Sequence, residues 1–253
     1  MSKKRYQISP IELVQWAEPL FGMDKAAEGF SEEQISSFET AANIHFPTAL
    51  REYYLACGQA SLNYEEDNMF VPAREVEQDL HNVAFSYDYI KSELEWLEKN
   101  GQTGYEDQEQ LRHLPVERWN EIVGNYLLIW CENQACWYAG IRVEDLHQPD
   151  PPVYYNDQDD MYHWAPFGDS VQSFILSTIL EQLFYNMEQI EDPEAIQRTL
   201  KDNGVDFQRL QQPYPFPGGR FVHTCLDLDT NTLYVYGEQS QNHSAYLGII
   251  QAE

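Results

Sequence analysis

FPTALREYYLACG, the run from Phe46 to Gly58, has the pattern of a short helix with both of its ends marked. Pro47 suits a first helical turn, because an N–H at that position would have no helical partner. Large side chains recur at helical spacing and predict one buried face: Leu50, Tyr53, Tyr54 and Cys57. Gly58 then predicts a helix end in the left-handed conformation.

A second helix is predicted immediately before this one. Ser31 and Gln34 have the spacing of a capping box, which begins a helix. Its inner face is predicted to carry Ile35, Phe38 and Ala42. The two helices meet between residues 43 and 47, and periodicity by itself indicates no more than a helical hairpin.

The centre of the chain is rich in aromatic and β-branched residues. Two such runs, Tyr126 to Cys131 and Ala135 to Ile141, are separated by Glu132-Asn133-Gln134. This arrangement predicts a β-hairpin. The run Pro151-Pro152-Val153-Tyr154 follows and predicts a short edge strand.

Together these blocks resemble the SUKH superfamily, which includes many bacterial immunity proteins and the fungal regulators of cell-wall synthesis. The similarity lies in Ile-x-Phe-Pro at the end of one helix, Pro-x-x-Leu-x-x-Tyr in the next, and the central strands. It extends from about Ser31 to Met187. The run Cys57-Gly58-Gln59 departs from the family's usual Asn-Gly-Gly. The resemblance implies an α+β fold with a central antiparallel β-sheet covered by helices, and it identifies a scaffold more than a chemistry.

We expect residues 1–205 to form one SUKH-like α+β domain with an acidic, partly helical insertion at about 64–118. An antiparallel sheet from the centre of the chain, with or without strands from the C-terminus, is predicted to be covered by the helices that carry Ile35 and Tyr53, together with a third helix that begins at Val171. Residues 213–253 have the pattern of a β meander, which either extends the same domain or forms a small appendage.

The third helix is the most apolar one predicted. Asp169 and Gln172 have the spacing of a cap, and Phe174 falls on the face predicted to be buried. A helix of this kind packs on a sheet instead of lying on the surface.

The charge of the chain is strongly unbalanced. Against 42 acidic residues stand 15 basic ones, a net charge of −27. An excess of this size repels nucleic acid and anionic membranes and favours a basic partner, although a solvated, soluble surface explains the same composition. No Lys or Arg occurs between Val143 and Gln197, whereas acidic residues are frequent there. This distribution favours the steering of a cationic partner.

Two acidic runs are therefore candidate partner-binding sites, each beside a tyrosine that is a candidate aromatic anchor. Their residues are Asp157, Asp159 and Asp160 with Tyr162, and Glu65, Glu66 and Asp67 with Tyr64. Each carboxylate is equally well explained as a solvated surface charge. The nearby His163 also raises a metal cluster as an alternative, but an acidic loop without fixed ligand geometry is favoured.

Catalytic chemistry is not indicated. The sequence contains no His-Glu-x-x-His, Gly-x-Ser-x-Gly or phosphate-loop motif, and its four cysteines do not have the paired spacing of a zinc site. We therefore predict no catalytic residues, metal or cofactor. With no apolar signal-peptide core or membrane-spanning segment, we expect a cytoplasmic protein.

Three functions remain open at this point. The resemblance implies an immunity protein that neutralises a cognate toxin, and a toxin that acts on nucleic acid would carry the basic surface that an acidic protein can cover. The alternatives are a non-enzymatic regulatory scaffold of the same fold and a carboxylate-dependent hydrolase.

Overall fold

The structure, a computed structural model, describes residues 3–21, 28–64, 68–69, 85–132, 137–156, 160–184, 186–206, 214–216, 220–237 and 244–252. The helices are α1 (Pro10–Ala17), α2 (Glu32–Ala42), α3 (Thr48–Cys57), α4 (Ser86–Lys99), α5 (Glu106–Arg112), α6 (Val171–Phe184) and α7 (Pro193–Asp202). The strands are β1 (Lys4–Arg5), β2 (Asn68–Met69), β3 (Tyr126–Cys131), β4 (Tyr138–Arg142), β5 (Val153–Asn156), β6 (Trp164–Gly168), β7 (Glu188–Ile190), β8 (Tyr214–Phe216), β9 (Arg220–Asp227), β10 (Thr232–Gly237) and β11 (Tyr246–Gln251).

Contacts along the backbone divide the chain into two compact units. The central unit consists of Phe30–Gly58 and Glu66–Val171. The terminal unit consists of Met1–Gly29, Gln59–Glu65 and Gln172–Glu253. Both ends of the chain contribute to the terminal unit, and the predicted SUKH-like domain over residues 1–205 stays a prediction.

The central unit is built on an antiparallel sheet. Among the described residues its strand order is β2-β3-β4-β5-β6. β3 and β4 form the predicted hairpin, in which Tyr126 pairs with Arg142 and Cys131 pairs with Tyr138. The prediction of an edge strand after the double proline is wrong, because β5 pairs with β4 on one side and with β6 on the other. Helices and antiparallel strands in one chain confirm the predicted α+β class.

The helical hairpin begins and turns as predicted. Ser31 and Gln34 form both hydrogen bonds of a capping box at the start of α2. Near the other end of α2, the buried carboxylate of Glu39 accepts a hydrogen bond from the backbone N–H of Phe46, at 2.9 Å. The Arg51 Nε atom lies 3.6 Å from the same carboxylate. The Glu39 side chain of α2 thus holds in place the residues that begin α3.

The predicted role of Gly58 is wrong in its detail. The residue has φ −60° and ψ −21°, which is right-handed helical backbone and not the left-handed conformation. A Cβ atom at this position would lie 2.4 Å from Cδ2 of Phe30 and 2.5 Å from the carbonyl oxygen of Tyr54. Glycine is therefore required by close packing and not by backbone dihedral angles.

The segment predicted as an insertion contributes to the core of the central unit. One face of α4 and α5 packs with β3 and β4 around a common set of buried side chains: Ile90, Leu94, Leu97, Leu111, Trp119, Val123, Tyr126, Leu128, Tyr138 and Met161. The described helices of the predicted insertion therefore contribute to the core of the central unit. Residues 70–84 lie outside the described part of the chain.

The terminal unit has a sheet of its own. In the described part of the chain the order is β1-β9-β10-β11-β7, and β8 pairs with β9 beside β1. The predicted C-terminal meander is β9, β10 and β11. Helix α7 covers part of this sheet, where Ile196 and Leu200 pack with Cys225, Tyr234 and Leu247.

Side chains join the three segments of the terminal unit. The buried carboxylate of Glu18 accepts hydrogen bonds from the backbone N–H groups of Ser61, at 2.7 Å, and Leu62, at 3.4 Å. The indole Nε1 of Trp16 donates to Oδ1 of Asn231 at 2.7 Å. Trp16 and Glu18 thus connect α1 and the residue after it with the turn at Ser61 and Leu62 and with Asn231, which precedes β10.

The position of α6 differs from the prediction. Apart from Val171, this helix is grouped with the terminal unit, and Phe184 packs edge to face against Tyr246 of β11. Phe174 is buried, as its place in the helical pattern predicts. The apolar pattern identified a buried helix, but it carried no information about which sheet the helix belongs to.

Candidate partner-binding surface

The structure describes part of the predicted binding residues. Asp160 and Tyr162 lie in the turn between β5 and β6, in the central unit. The other predicted carboxylates fall outside the described residues: Asp157, Asp159, Glu65, Glu66 and Asp67. The backbone of Tyr64 ends a short 3₁₀ helix, Ser61–Tyr64, and its side chain is likewise outside the description. These positions therefore remain predictions.

The Asp160 carboxylate organises the turn in which it lies. Its Oδ1 atom accepts hydrogen bonds from the backbone N–H groups of Tyr162, at 2.9 Å, and His163, at 3.3 Å. Its Oδ2 atom lies 2.6 Å from Nδ1 of the His163 ring. An aspartate that bonds backbone amides two and three residues ahead stabilises a turn of defined shape. The carboxylate is thus presented in a fixed orientation.

His163 lies between two carboxylates. While Nδ1 contacts Asp160, the Nε2 atom lies 3.6 Å from Oδ2 of Asp107 on α5. The hydrogen bond to Asp160, with the charges of Asp160 and Asp107, raises the pKa of His163 above its ordinary value. Because the side chain is 75% exposed, solvent screens much of this interaction. His163 is the histidine that links the turn to α5.

Glu93 links α4 to the turn and to α5. Its Oε2 atom accepts a hydrogen bond from the hydroxyl of Tyr162 at 2.7 Å, and its Oε1 atom accepts one from Nε2 of Gln108 at 2.9 Å. Burial and the Glu93 contact raise the pKa of the Tyr162 hydroxyl. The ring of Tyr162 packs against the buried core of the unit. The tyrosine therefore helps to hold the turn against α4.

The turn, α4 and α5 form one surface, which we call the acidic face: Glu93, Asp107, Asp160, Tyr162 and His163. Sequence reasoning identified Asp160 and Tyr162 but missed Glu93 and Asp107. Both of the missed residues were visible within the acidic 64–118 segment. Their closeness to residue 160 depends on tertiary packing, which no local pattern reports.

Two aromatic side chains are exposed on the helices that bear the acidic face. Trp96 on α4 is 53% exposed, and Tyr105, which precedes α5, is 83% exposed. The signal that distinguishes Trp96 is its position off the stripe of Ile90, Leu94 and Leu97, which are the buried apolar residues of α4.

The arrangement is suited to binding and offers no evident reactive centre. Among the described residues no group of three His, Cys, Asp or Glu side chains is placed to hold a metal ion. The carboxylates of Glu93 and Asp160 accept hydrogen bonds, Asp107 lies 3.6 Å from the His163 ring, and the helical segment that carries Glu93 and Asp107 also carries the exposed rings of Trp96 and Tyr105. Such a surface can attract a cationic partner and exclude water around an aromatic contact.

The fold and the surface together describe an α+β protein whose central unit carries an acidic face. Residues 29–177 match the model of the SMI1 / KNR4 family (SUKH-1). This match covers more than half of the chain, which therefore belongs to that family. Comparisons with curated proteins and with solved structures found no match. Within the described residues, no helix is both long and apolar enough to cross a membrane.

Proposed function

We propose that this protein is an immunity protein that binds a cognate toxin and neutralises it by covering its active surface. Membership of the SUKH-1 family is consistent with this function. The observation that supports it most directly is the acidic face, where Asp160 and Glu93 are oriented by hydrogen bonds instead of being free to rotate. On this proposal the protein acts in the cytoplasm as a binding protein and catalyses no reaction.

The proposed partner is a toxin with a basic surface, such as one that acts on nucleic acid. Because opposite charges accelerate encounter, association should be fast at low ionic strength and slower with added salt. The toxin must expose cationic groups in order to bind a phosphate backbone. An acidic protein that occupies those groups competes directly with the nucleic acid.

The experiment begins with the gene beside this one, if it encodes a toxin. Cells that express the toxin should survive when they also express this protein, and the purified proteins should form a complex. Failure of the intact protein to protect the cells or bind the toxin would remove the immunity proposal. A complex without protection would instead favour a regulatory scaffold.

A charge variant tests Asp160 of the acidic face together with Asp157 and Asp159, the two predicted carboxylates that precede it in the sequence. Replacing Asp157, Asp159 and Asp160 by Asn should preserve the fold and slow association on the order of tenfold at low salt. The matched control replaces Glu188, Glu191 and Glu194 by Gln, three exposed carboxylates in the same Lys- and Arg-free span but in the terminal unit. Equal effects of the two variants would show that total charge, and not the acidic face, accelerates binding.

A further inference from the structure

Exposed large apolar side chains are concentrated in one part of the chain. Among the described residues they are Trp96, Tyr105, Val116 and Leu228. The first three lie within 21 positions of one another, in the helical segment of the central unit. Single exposed apolar residues need no explanation, but several in one segment of a highly charged protein indicate a contact surface.

The position of Trp96 on α4 connects it with the acidic face. Tyr89, Glu93, Trp96 and Asn100 follow at intervals of four, three and four, which places them along one flank of the helix. Glu93 on this flank bonds both Tyr162 and Gln108. Trp96 therefore lies on the same flank, one turn beyond the residue that joins the three elements.

Tyr105 is tied to the same network from the other side. Its backbone N–H donates to Oε1 of Gln108 at 2.7 Å, while Nε2 of Gln108 donates to Glu93. The side-chain amide of Gln108 thus fixes the position of Tyr105 relative to α4. Both aromatic side chains extend from backbone that is held in place, which lowers the entropy lost when a partner binds.

The charge around these rings is mainly negative. From Ser86 to Glu121 there are nine acidic and four basic residues. Two of the four basic residues, Arg112 and Arg118, form ion pairs with Glu109 and Glu121. A partner that covers Trp96 and Tyr105 therefore meets carboxylates at the rim of the contact.

We infer that Trp96 and Tyr105 are the apolar anchors of the toxin-binding surface and that the toxin presents Lys or Arg side chains around an apolar patch. This inference rests on the proposed immunity function. Aromatic anchors slow dissociation because they are fully desolvated in a complex, whereas the acidic rim mainly accelerates association. A second copy of this chain is a poor occupant, because a symmetric contact would bring like charges together.

The kinetic test uses the purified toxin encoded by the neighbouring gene, with its catalytic activity removed by mutation. Trp96→Ala and Tyr105→Ala should each increase the dissociation rate roughly tenfold or more, with little change in the association rate. Leu228→Ala is the matched control, since it removes an exposed apolar side chain from the terminal unit. Circular dichroism should show that all three variants are folded.

The outcomes separate this inference from the function on which it rests. If the wild-type protein binds the toxin and both aromatic variants dissociate at the wild-type rate, the role of Trp96 and Tyr105 as anchors is refuted and the immunity function stands. Absence of binding by the wild-type protein removes both. Light scattering that shows a dimer dissociated by Trp96→Ala would assign the surface to self-association instead.

A synthetic probe tests the chemistry of the surface without the toxin. An amphipathic peptide of Lys and Leu is compared with an oligolysine of equal charge, and the indole N–H resonance of Trp96 is followed by NMR. The Trp96→Phe spectrum assigns that resonance among the six tryptophans. The resonance should shift at about tenfold lower concentration of the amphipathic peptide. If the two peptides shift the resonance at the same concentration, an apolar contribution to binding is refuted.

Discussion

Replacing Lys4 by Met should destabilise the terminal unit by about 3 kcal/mol, which is large for a residue so near the chain's start. Lys4 is paired in register with Asp227 across β1 and β9, and its ammonium contacts the Asp227 carboxylate. The two side chains are only 12% and 3% exposed. Lys4→Met retains most of the aliphatic side chain but removes the charge that compensates a buried carboxylate.

The magnitude follows from the surroundings of Asp227. Removing one partner of a buried ion pair typically costs about 3–5 kcal/mol, because the other charge is left buried. Asp227 keeps compensating contacts, since its Oδ1 atom accepts a hydrogen bond from the N–H of Asp229 at 3.0 Å and the Thr230 side chain also hydrogen-bonds its carboxylate. Partial exposure of Lys4 also allows water to approach after substitution. The lower end of the range is therefore expected.

The pH dependence of this pair has a definite sign. Burial alone would raise the pKa of Asp227, but Lys4 and the Asp229 amide outweigh it and lower that pKa. The stabilisation is thus complete above the unfolded pKa, about 3.9, and is lost as pH falls through the folded one. Burial likewise opposes the raised pKa of Lys4, to which Asp227 contributes most. In the alkaline range, the stabilisation by Lys4 is complete below its unfolded pKa of about 10.4 and is lost as pH rises through the folded pKa.

The assay is urea unfolding at pH 7, with hydrogen exchange of the β9 and β10 amides to report on the terminal unit. Lys3→Met is the matched control, because Lys3 lies 3.9 Å from Asp229 and both side chains are largely exposed. Lys3→Met should lower the free energy of unfolding by less than about 1 kcal/mol. If Lys4→Met is no more destabilising than Lys3→Met, the buried pair does not stabilise β1. Adding Asp227→Asn to Lys4→Met should recover part of the loss, since it removes the orphaned charge.

Three further substitutions test particular contacts. Phe174→Asp should unfold or aggregate the protein, because it places an unpaired charge at a buried position; a melting curve like that of Phe174→Leu would contradict this. Gly58→Ala should lower the free energy of unfolding by about 1–3 kcal/mol through overlap with Phe30, and unchanged urea stability would refute the close packing. The raised pKa of His163 means that its stabilisation is complete below about 6.5 and is lost as pH rises through the folded pKa. His163→Gln should therefore lower the melting temperature more at pH 5.5 than at pH 9, and equal shifts would argue against its pairing with Asp160.

Features controlled by neighbouring residues could be predicted from the sequence. The capping box of Ser31 and Gln34 requires only residues within one helical turn, and it forms as the spacing indicates. The β3–β4 hairpin is likewise local, since its two strands follow each other along the chain. The family match over residues 29–177 agrees with the resemblance found in these same elements.

Features that depend on distant contacts could not be predicted in the same way. Gly58 carries the signal of a left-handed helix end, yet the position of Phe30 is what excludes a larger side chain. The partner of β1 lies more than 200 residues away, and a strand of two residues has no readable period. For the candidate site, Asp160 and Tyr162 were found from composition. Their contact with Glu93 could only be read from the packing of α4.

The division into two units provides an internal control for the binding proposals. The acidic face and the exposed rings belong to the central unit, which is also the part of the chain that the SUKH-1 match mainly covers. The buried pair at Lys4, the control carboxylates and Leu228 belong to the terminal unit. A variant such as Lys4→Met therefore changes stability without altering any proposed contact. If it weakened toxin binding while the central unit stayed folded, the binding surface would have to include the terminal unit.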